Sequence, residues 1–247
     1  MTLPVRALVV PAAGRGSRLG SGSPKALVAV NGRPMLAWLG ELYAPYVQQV
    51  IVIASPEGAA DIAACARELP VRATVVEQPQ PTGMLDAILI GIAALTDARP
   101  ERVWVTWCDQ VAVHPDTARR LAATEGDSDM TLPVVVRDTP YIHFDRDVHQ
   151  RIIGVRHRRE GDVMPENGES DMGVFSLSAG VAFRELVRFA ATAIPTGATG
   201  ERNFLPFIPW LAQRGDVRTF AATHPMEAVG INTPEDLAAV SARLRKS

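Results

Sequence analysis

A strand-like run, Val5–Ala12, leads straight into PAAGRGSRLGSGSPKAL at residues 11–27. Gly14, Gly16 and Gly20 let a backbone curl closely around a guest. Successive N–H groups in such a loop form an anion cradle. Arg15, Arg18 and Lys25 add positive charge to the same loop, and the combination suits a triphosphate. The dinucleotide fingerprint fits poorly, because the third glycine comes one position late and Pro24 and Lys25 follow; the Walker pattern lacks its Gly-Lys-Ser/Thr. The plain alternative is a charged surface turn.

Two further segments carry chemistry. In EQPQPTGMLDAI, residues 77–88, the Gln78 amide can donate and accept, which suits a pyrimidine edge, and Gly83 lets a base approach the main chain. The alternative there is a proline turn before a helix cap. In WVTWCDQV, residues 104–111, an apolar strand ends in Asp109. Ligands of open parallel sheets bind beyond the carboxyl ends of strands, and a carboxylate there suits Mg²⁺ and substrate phosphates. Taken alone, a strand-end Asp such as Asp109 is more often a helix cap or turn former.

These motifs resemble the sugar-nucleotide pyrophosphorylases, whose opening pattern is roughly AAGxGTRL followed by PKxL. Within that family they resemble the uridylyltransferases acting on N-acetylglucosamine-1-phosphate. The likeness runs through nearly the whole chain in matching order and is dense only in the motifs. It implies that the loop at Ala12, Ala13, Gly14, Arg15, Gly16 and Ser17, with Arg18 and Lys25, holds the NTP phosphates; Ser17 keeps the hydroxyl of the usual Thr. It implies that Gln78 and Gly83 recognise uracil, favouring UTP ahead of CTP. EAVGINTPEDL, residues 227–237, resembles the family's closing segment, which makes Asn232 the second Mg²⁺ ligand beside Asp109. On the acceptor side Asp171 stands where the family has Asn, and Arg156–His157 fall where it has Glu. Glu201 and Asn203, in TGERNFLPFIPWLA, are the other candidate acceptor contacts. The run Arg156–Arg159 reads either as a greeting for an acidic acceptor or as a solvated strand edge.

The implied reaction needs no protein nucleophile. An acceptor phosphate oxygen attacks the α-phosphorus in line and pyrophosphate leaves, with Arg18, Lys25 and Asp109 as the catalytic set. A sugar-1-phosphate uridylyltransferase is the favoured reading. A cytidylyltransferase using a non-sugar phosphate or phosphonate, a molybdopterin nucleotidyltransferase, and a non-catalytic nucleotide-binding regulatory protein stay open.

Positioning these residues takes alternating strands and helices. Val50–Ala54, Val71–Glu77, Val103–Cys108 and Met130–Val136 read as further strands, with helices after Pro34 and over Pro56–Arg67, Gly83–Leu95 and Pro115–Thr124. That alternation predicts an α/β, three-layer Rossmann-like fold: a mixed, mostly parallel sheet. The charged stretch 137–172 reads as an inserted substrate-side flap. Val174–Leu177 returns to strand, Val181–Ala191 and Glu201–Arg214 read as helices, and Val217–Ala221 and Ala228–Ile231 as closing strands. Thr233 caps a last helix with Pro234 at its first position. One domain is expected over 1–247, its nucleotide part about 1–136 and 215–247 and its acceptor part about 137–214.

Composition bounds the partners. The 247 residues carry a formal charge of −2, so no basic stripe for nucleic acid or membrane is expected. Cys65 and Cys108 are the two cysteines, too few and too far apart for a disulfide framework or zinc site. No signal peptide or membrane span is read, which points to the cytoplasm. Homo-oligomerisation stays open.

Overall fold

The apolar runs become strands and the amphipathic stretches helices. The structure, a computed structural model, describes residues 4–14, 16, 19–20, 22–95, 99–195 and 199–245. In chain order the elements are β1 (Arg6–Pro11), the short strands β2 (Ala29–Val30) and β3 (Arg33–Pro34), α1 (Met35–Tyr43), β4 (Gln49–Ala54), α2 (Ala59–Ala66), β5 (Arg72–Glu77), α3 (Met84–Ala93), β6 (Arg102–Thr106) and α4 (Pro115–Thr124). Then come β7 (Met130–Asp138), β8 (Ile142–Arg146), β9 (Ile152–His157), β10 (Asn167–Asp171), β11 (Val174–Ser178), α5 (Leu186–Ala190), α6 (Phe207–Ala212), β12 (Val217–Ala221) and α7 (Pro234–Leu244).

β1 lies mid-sheet, parallel to β4 on one side and to β6 on the other, and β5 extends the β4 side in parallel. β11 runs antiparallel to β6, and β7 pairs antiparallel with β10 and β11 and parallel with β12. The sheet is therefore mixed and mostly parallel, with helices on both faces. Ala7 and Val9 of β1 enter one core with Ile53, Ile88 and Phe175; Leu8 and Val10 enter the other with Leu36, Tyr43 and Trp104. A strand buried on both faces has no polar alternation, which is why its sequence reads as one apolar run. The chain leaves β1 for β4 and β5, then returns past it to β6. The switch point of the sheet thus falls between β1 and β6, where open α/β sheets bind ligands.

At the opposite end of β1 and β6 lies a buried charge network. Arg6, Arg102 and Glu125 are 3%, 4% and 2% exposed. Arg6 Nε donates to Glu125 Oε1 at 2.6 Å, and Trp104 Nε1 donates to Glu125 Oε2 at 2.8 Å. Ser176 Oγ donates to the same Oε2 and accepts from Arg102 Nε at 3.0 Å. Burial pulls the Arg102 guanidinium below its ordinary pKa, and Glu125 pulls it back up.

Several expectations need correction. The stretch 137–172 is not all insertion: β7 runs on to Asp138 and β10 joins the main sheet, Asp171 opposite Val134. Its polar sequence is that of a strand at the sheet's margin; only β8 and β9 form a separate ribbon. Glu201–Arg214 is α-helical only over Phe207–Ala212, because Arg202 spends its N–H on Thr82 O and its C=O on Leu85 N, and Asn203 Oδ1 takes the Leu205 N–H. Val181–Ala191 opens with a π-helical turn, Val181–Glu185, before α5. Ala228–Ile231 is no strand: Pro225–Ala228 is a 3₁₀ turn with a His224–Glu227 capping box. Among the described residues no helix is long and apolar enough to cross a membrane.

Candidate active site

The glycine-rich loop returns Lys25 to the end of β1. Lys25 N donates to Gly14 O at 3.1 Å, and Leu19 N to Gly16 O at 2.8 Å. A Cβ on Gly16 would stand 3.2 Å from Lys25 Cα, so the loop closes on itself there. Ala12 N donates to Ile53 O at 2.7 Å, which carries the β1 edge one residue past the strand. The sequence-predicted Arg15, Ser17 and Arg18 lie outside the described residues.

Lys25, Asp109 and Asn232 meet at the switch point. The Lys25 ammonium donates to Asp109 Oδ2 and, at 2.8 Å, to Asn232 Oδ1. Lys25 and Asp109 side chains are only 15% and 13% exposed. Asp109 follows β6, and its carbonyl accepts Ile231 N at 3.2 Å, which docks the closing segment beside it. Gly230 leaves room for the carboxylate, since a Cβ there would stand 3.2 Å from Asp109 Cγ. Asn232 is held by its N–H to Asp236 Oδ2 at 3.0 Å, within the Thr233–Asp236 capping box that starts α7. The Cys108 thiol, next to Asp109, is pushed up to about 12 by burial and stays protonated.

Two oxygens that converge on one ammonium can also converge on a metal. A carboxylate and an amide carbonyl are hard donors, the kind Mg²⁺ takes when phosphates and water complete its shell. Among the described residues no cluster of three or more His, Cys, Asp or Glu offers an all-protein site. The residues therefore fit a hard divalent cation shared with a phosphorylated substrate.

The predicted base turn follows β5. Gln78 is buried, its N–H donates to Ala54 O at 2.8 Å, and its side-chain Nε2 donates to Gly83 O at 3.1 Å. The amide thus shapes the turn it sits in. Gly83 has φ of 120°, and a Cβ there would meet Arg202 N and O at 2.5 Å. No other residue fits that backbone and that approach.

The acceptor-side candidates separate into two places. Asp171 ends β10, and its Oδ2 accepts the Gly173 N–H at 2.8 Å. Burial pushes its carboxyl up to about 6, opposed by the Gly173 N–H and its own amide. Glu201 and Asn203 lie before α6 and reach the β9 end: Glu201 pairs with Arg159 at 3.1 Å, and the Asn203 amide lies 3.2 Å from His157 Nδ1. Burial lowers the His157 pKa, so the ring is neutral at pH 7 and can accept from that amide. A cavity of about 490 Å³ opens here, lined by His157, Glu160, Asp162, Asn203 and Leu205. The Arg156–Arg159 run is spent locally, Arg156 on Asp145 and Arg159 on Glu201. Sequence reasoning missed Arg202 and Gly230, though both lie inside motifs it singled out: Arg202 ties the turn by its main chain and pairs with Asp86, and Gly230 makes room for the Asp109 carboxylate.

Asp171 yields a prediction. Its folded-state pKa lies above the ordinary 3.8, so its ionisation costs stability as pH rises from about 4 through about 6. Asp171→Asn should stabilise the protein by about 1–3 kcal/mol at pH 8 and by almost nothing at pH 4. Urea denaturation at both pH values checks this, and an equal difference at both would refute it.

The pattern of the MobA-like NTP transferase domain matches residues 8–171. The chain is 30% identical over 246 residues to the bifunctional protein GlmU of Halorhodospira halophila, covering 97% of this chain and 49% of that protein. It is 39% identical over 123 residues to the 2-C-methyl-D-erythritol 4-phosphate cytidylyltransferase of Streptomyces avermitilis, covering 48% of this chain and 45% of that protein. The GlmU of Pelotomaculum thermopropionicum is 30% identical over 249 residues. The chain spans about half the length of the GlmU proteins it matches.

Proposed function

Because the chain belongs to the family of MobA-like NTP transferase domains, we propose that it is a nucleotidyltransferase joining an NTP to a small phosphorylated acceptor, with UTP and a sugar-1-phosphate as the favoured pair. One observation carries the reading: the Lys25 ammonium bridges Asp109 and Asn232, residues 84 and 207 positions away in sequence, at the switch point of the sheet. The whole-length similarity to GlmU proteins supports the uridylyl reading.

The acceptor phosphate oxygen attacks the α-phosphorus as the bond to the β-bridging oxygen breaks, and its electron pair leaves with pyrophosphate. Catalysis is positioning and charge neutralisation. Lys25 neutralises charge at the reacting phosphates, Arg18 takes the pyrophosphate, and the glycine-rich segment that carries them binds the chain of phosphates. Asp109 and Asn232 would hold Mg²⁺, which when bound supplies charge neutralisation at the phosphates. Gln78 and Gly83 frame the base. Asp171, Glu201 and Asn203 face the acceptor, in the part built from about 137–214, and the rest of the domain binds nucleotide. The reaction draws on a cytoplasmic NTP pool.

A second reading has its own support. The cytidylyltransferase similarity covers half the chain, and Asp171 and Arg156 replace the acceptor residues of the uridylyltransferases. It keeps the mechanism and makes CTP and a polyol phosphate the pair. Pyrophosphate release with Mg²⁺, across four NTPs and a panel of phosphorylated acceptors, separates the two. Release with UTP and a sugar-1-phosphate is expected. Release with CTP and a non-sugar acceptor alone moves the protein to the second reading. Tight NTP binding with no release across the panel overturns both and leaves a nucleotide-binding regulator.

A further inference from the structure

Helix α3 starts immediately after the base turn, and its first N–H groups need acceptors. Its cap residue is Gly83, which has no side chain to supply one. The acceptor comes from elsewhere: Arg202 O takes Leu85 N at 3.0 Å, and Arg202 N donates to Thr82 O at 2.8 Å. The Arg202 guanidinium then pairs with Asp86, in the first turn of α3, and donates to Ala190 O of α5. The Arg202 and Asp86 side chains are 26% and 17% exposed. The two residues after Arg202 reach other parts of the site. Asn203 meets His157 at the end of β9. Phe204 packs edge-on against Trp107, with centroids 6.0 Å apart, two residues before Asp109. Three consecutive residues therefore touch the base turn, the acceptor-side ribbon and the strand end that carries Asp109.

We propose that Arg202, latched to Asp86, is a positioning residue that sets base selectivity by holding the Gln78–Gly83 turn and the α3 N-terminus in one shape. The inference rests on the reading of that turn as the base site. Among the described residues Arg202 bonds to Thr82, Leu85, Asp86 and Ala190 and not to Lys25, so its effect falls on the base end of the nucleotide. An NTP binds through its phosphates, common to all four, and through its base, which differs. Loosening the turn removes the second contribution and spares the first.

The test is direct binding of UTP, CTP, ATP and GTP with Mg²⁺ and no acceptor, by isothermal titration calorimetry, on the wild-type protein and on Arg202→Ala, Asp86→Ala and the double variant. In each single variant the ratio of Kd values between the poorest and the preferred NTP should shrink about tenfold, as expected for loss of one coupled contact. The Kd of the poorest NTP should move less than threefold. The double variant should lose no more than either single one. Arg202→Lys, which keeps a cation opposite Asp86, should restore much of the ratio and serves if the alanine variants fold poorly. A purely structural role would lower the melting temperature and weaken all four nucleotides alike, which overturns the inference. So do additive losses in the double variant, or a wild-type protein that binds all four equally. Pyrophosphate release by the wild type is read separately, so failure of the reaction and failure of the latch are distinguishable.

Discussion

Asp109→Asn is expected to lower kcat/KM by about a thousandfold, a loss of about 4 kcal/mol in transition-state stabilisation. The substituted amide oxygen can still accept from the Lys25 ammonium, which now bridges Asp109 and Asn232, so the local shape is kept. What disappears is the only formal negative charge of that trio, and with it the carboxylate donor for a divalent cation. Lys25→Met should fall by a similar factor for the opposite reason, since it removes the cation that the proposed reaction sets against the phosphates. Steady-state pyrophosphate release measures both, with circular dichroism and thermal melting as controls on the fold. The melts matter most for Lys25→Met, which leaves the largely buried Asp109 carboxylate without its partner. Turnover within threefold of wild type in both variants would remove these residues from the reaction.

The largest stability effect should come from the other end of the sheet. Glu125→Gln leaves the Arg6 and Arg102 guanidiniums buried without their shared counter-charge. Breaking such a pair by removing one partner costs about 3–5 kcal/mol, because an uncompensated charge stays inside. For a chain of this size that lowers the melting temperature by roughly 10 °C. Chemical denaturation with an unchanged m-value gives the free energy. A loss under about 1 kcal/mol would mean that water or a rearranged guanidinium solvates the charge. The network lies at the opposite ends of β1 and β6 from Asp109, so residual folded protein should keep its catalytic rate.

Much of this architecture was legible before any coordinates. Strands buried on both faces announce themselves as uninterrupted apolar runs, and β1, β4 and β6 were found that way. Lys25 and Asp109 stand out by their places in a post-strand loop and at a strand end, and Asn232 only by the resemblance of its segment; the structure brings the three side chains together. Other features resist reading for physical reasons. Arg202 pairs with Asp86 across 116 residues and holds the turn at Thr82 by its main chain, and neither link leaves a local pattern. The helical propensity of 201–214 was overruled by tertiary hydrogen bonds that consume its first turn. β10 carries polar residues because it lies at the sheet's margin, and so passed for insertion. Glu125 finds Arg6 at a separation of 119 residues, a pairing that no local pattern encodes.

The distance between Lys25 and Asn232 also dictates when this protein becomes competent. The two side chains touch across 207 positions of chain, so the trio can close only after residue 232 has been synthesised. β1, β4 and β5 pair early, since their partners are neighbours in sequence. Closing the longest loop comes late because its entropy must be overcome before the contact stabilises anything. Refolding followed by tryptophan fluorescence should therefore run ahead of recovered pyrophosphate release, and a chain truncated before Asn232 should fold its β1–β4–β5 half without completing the trio.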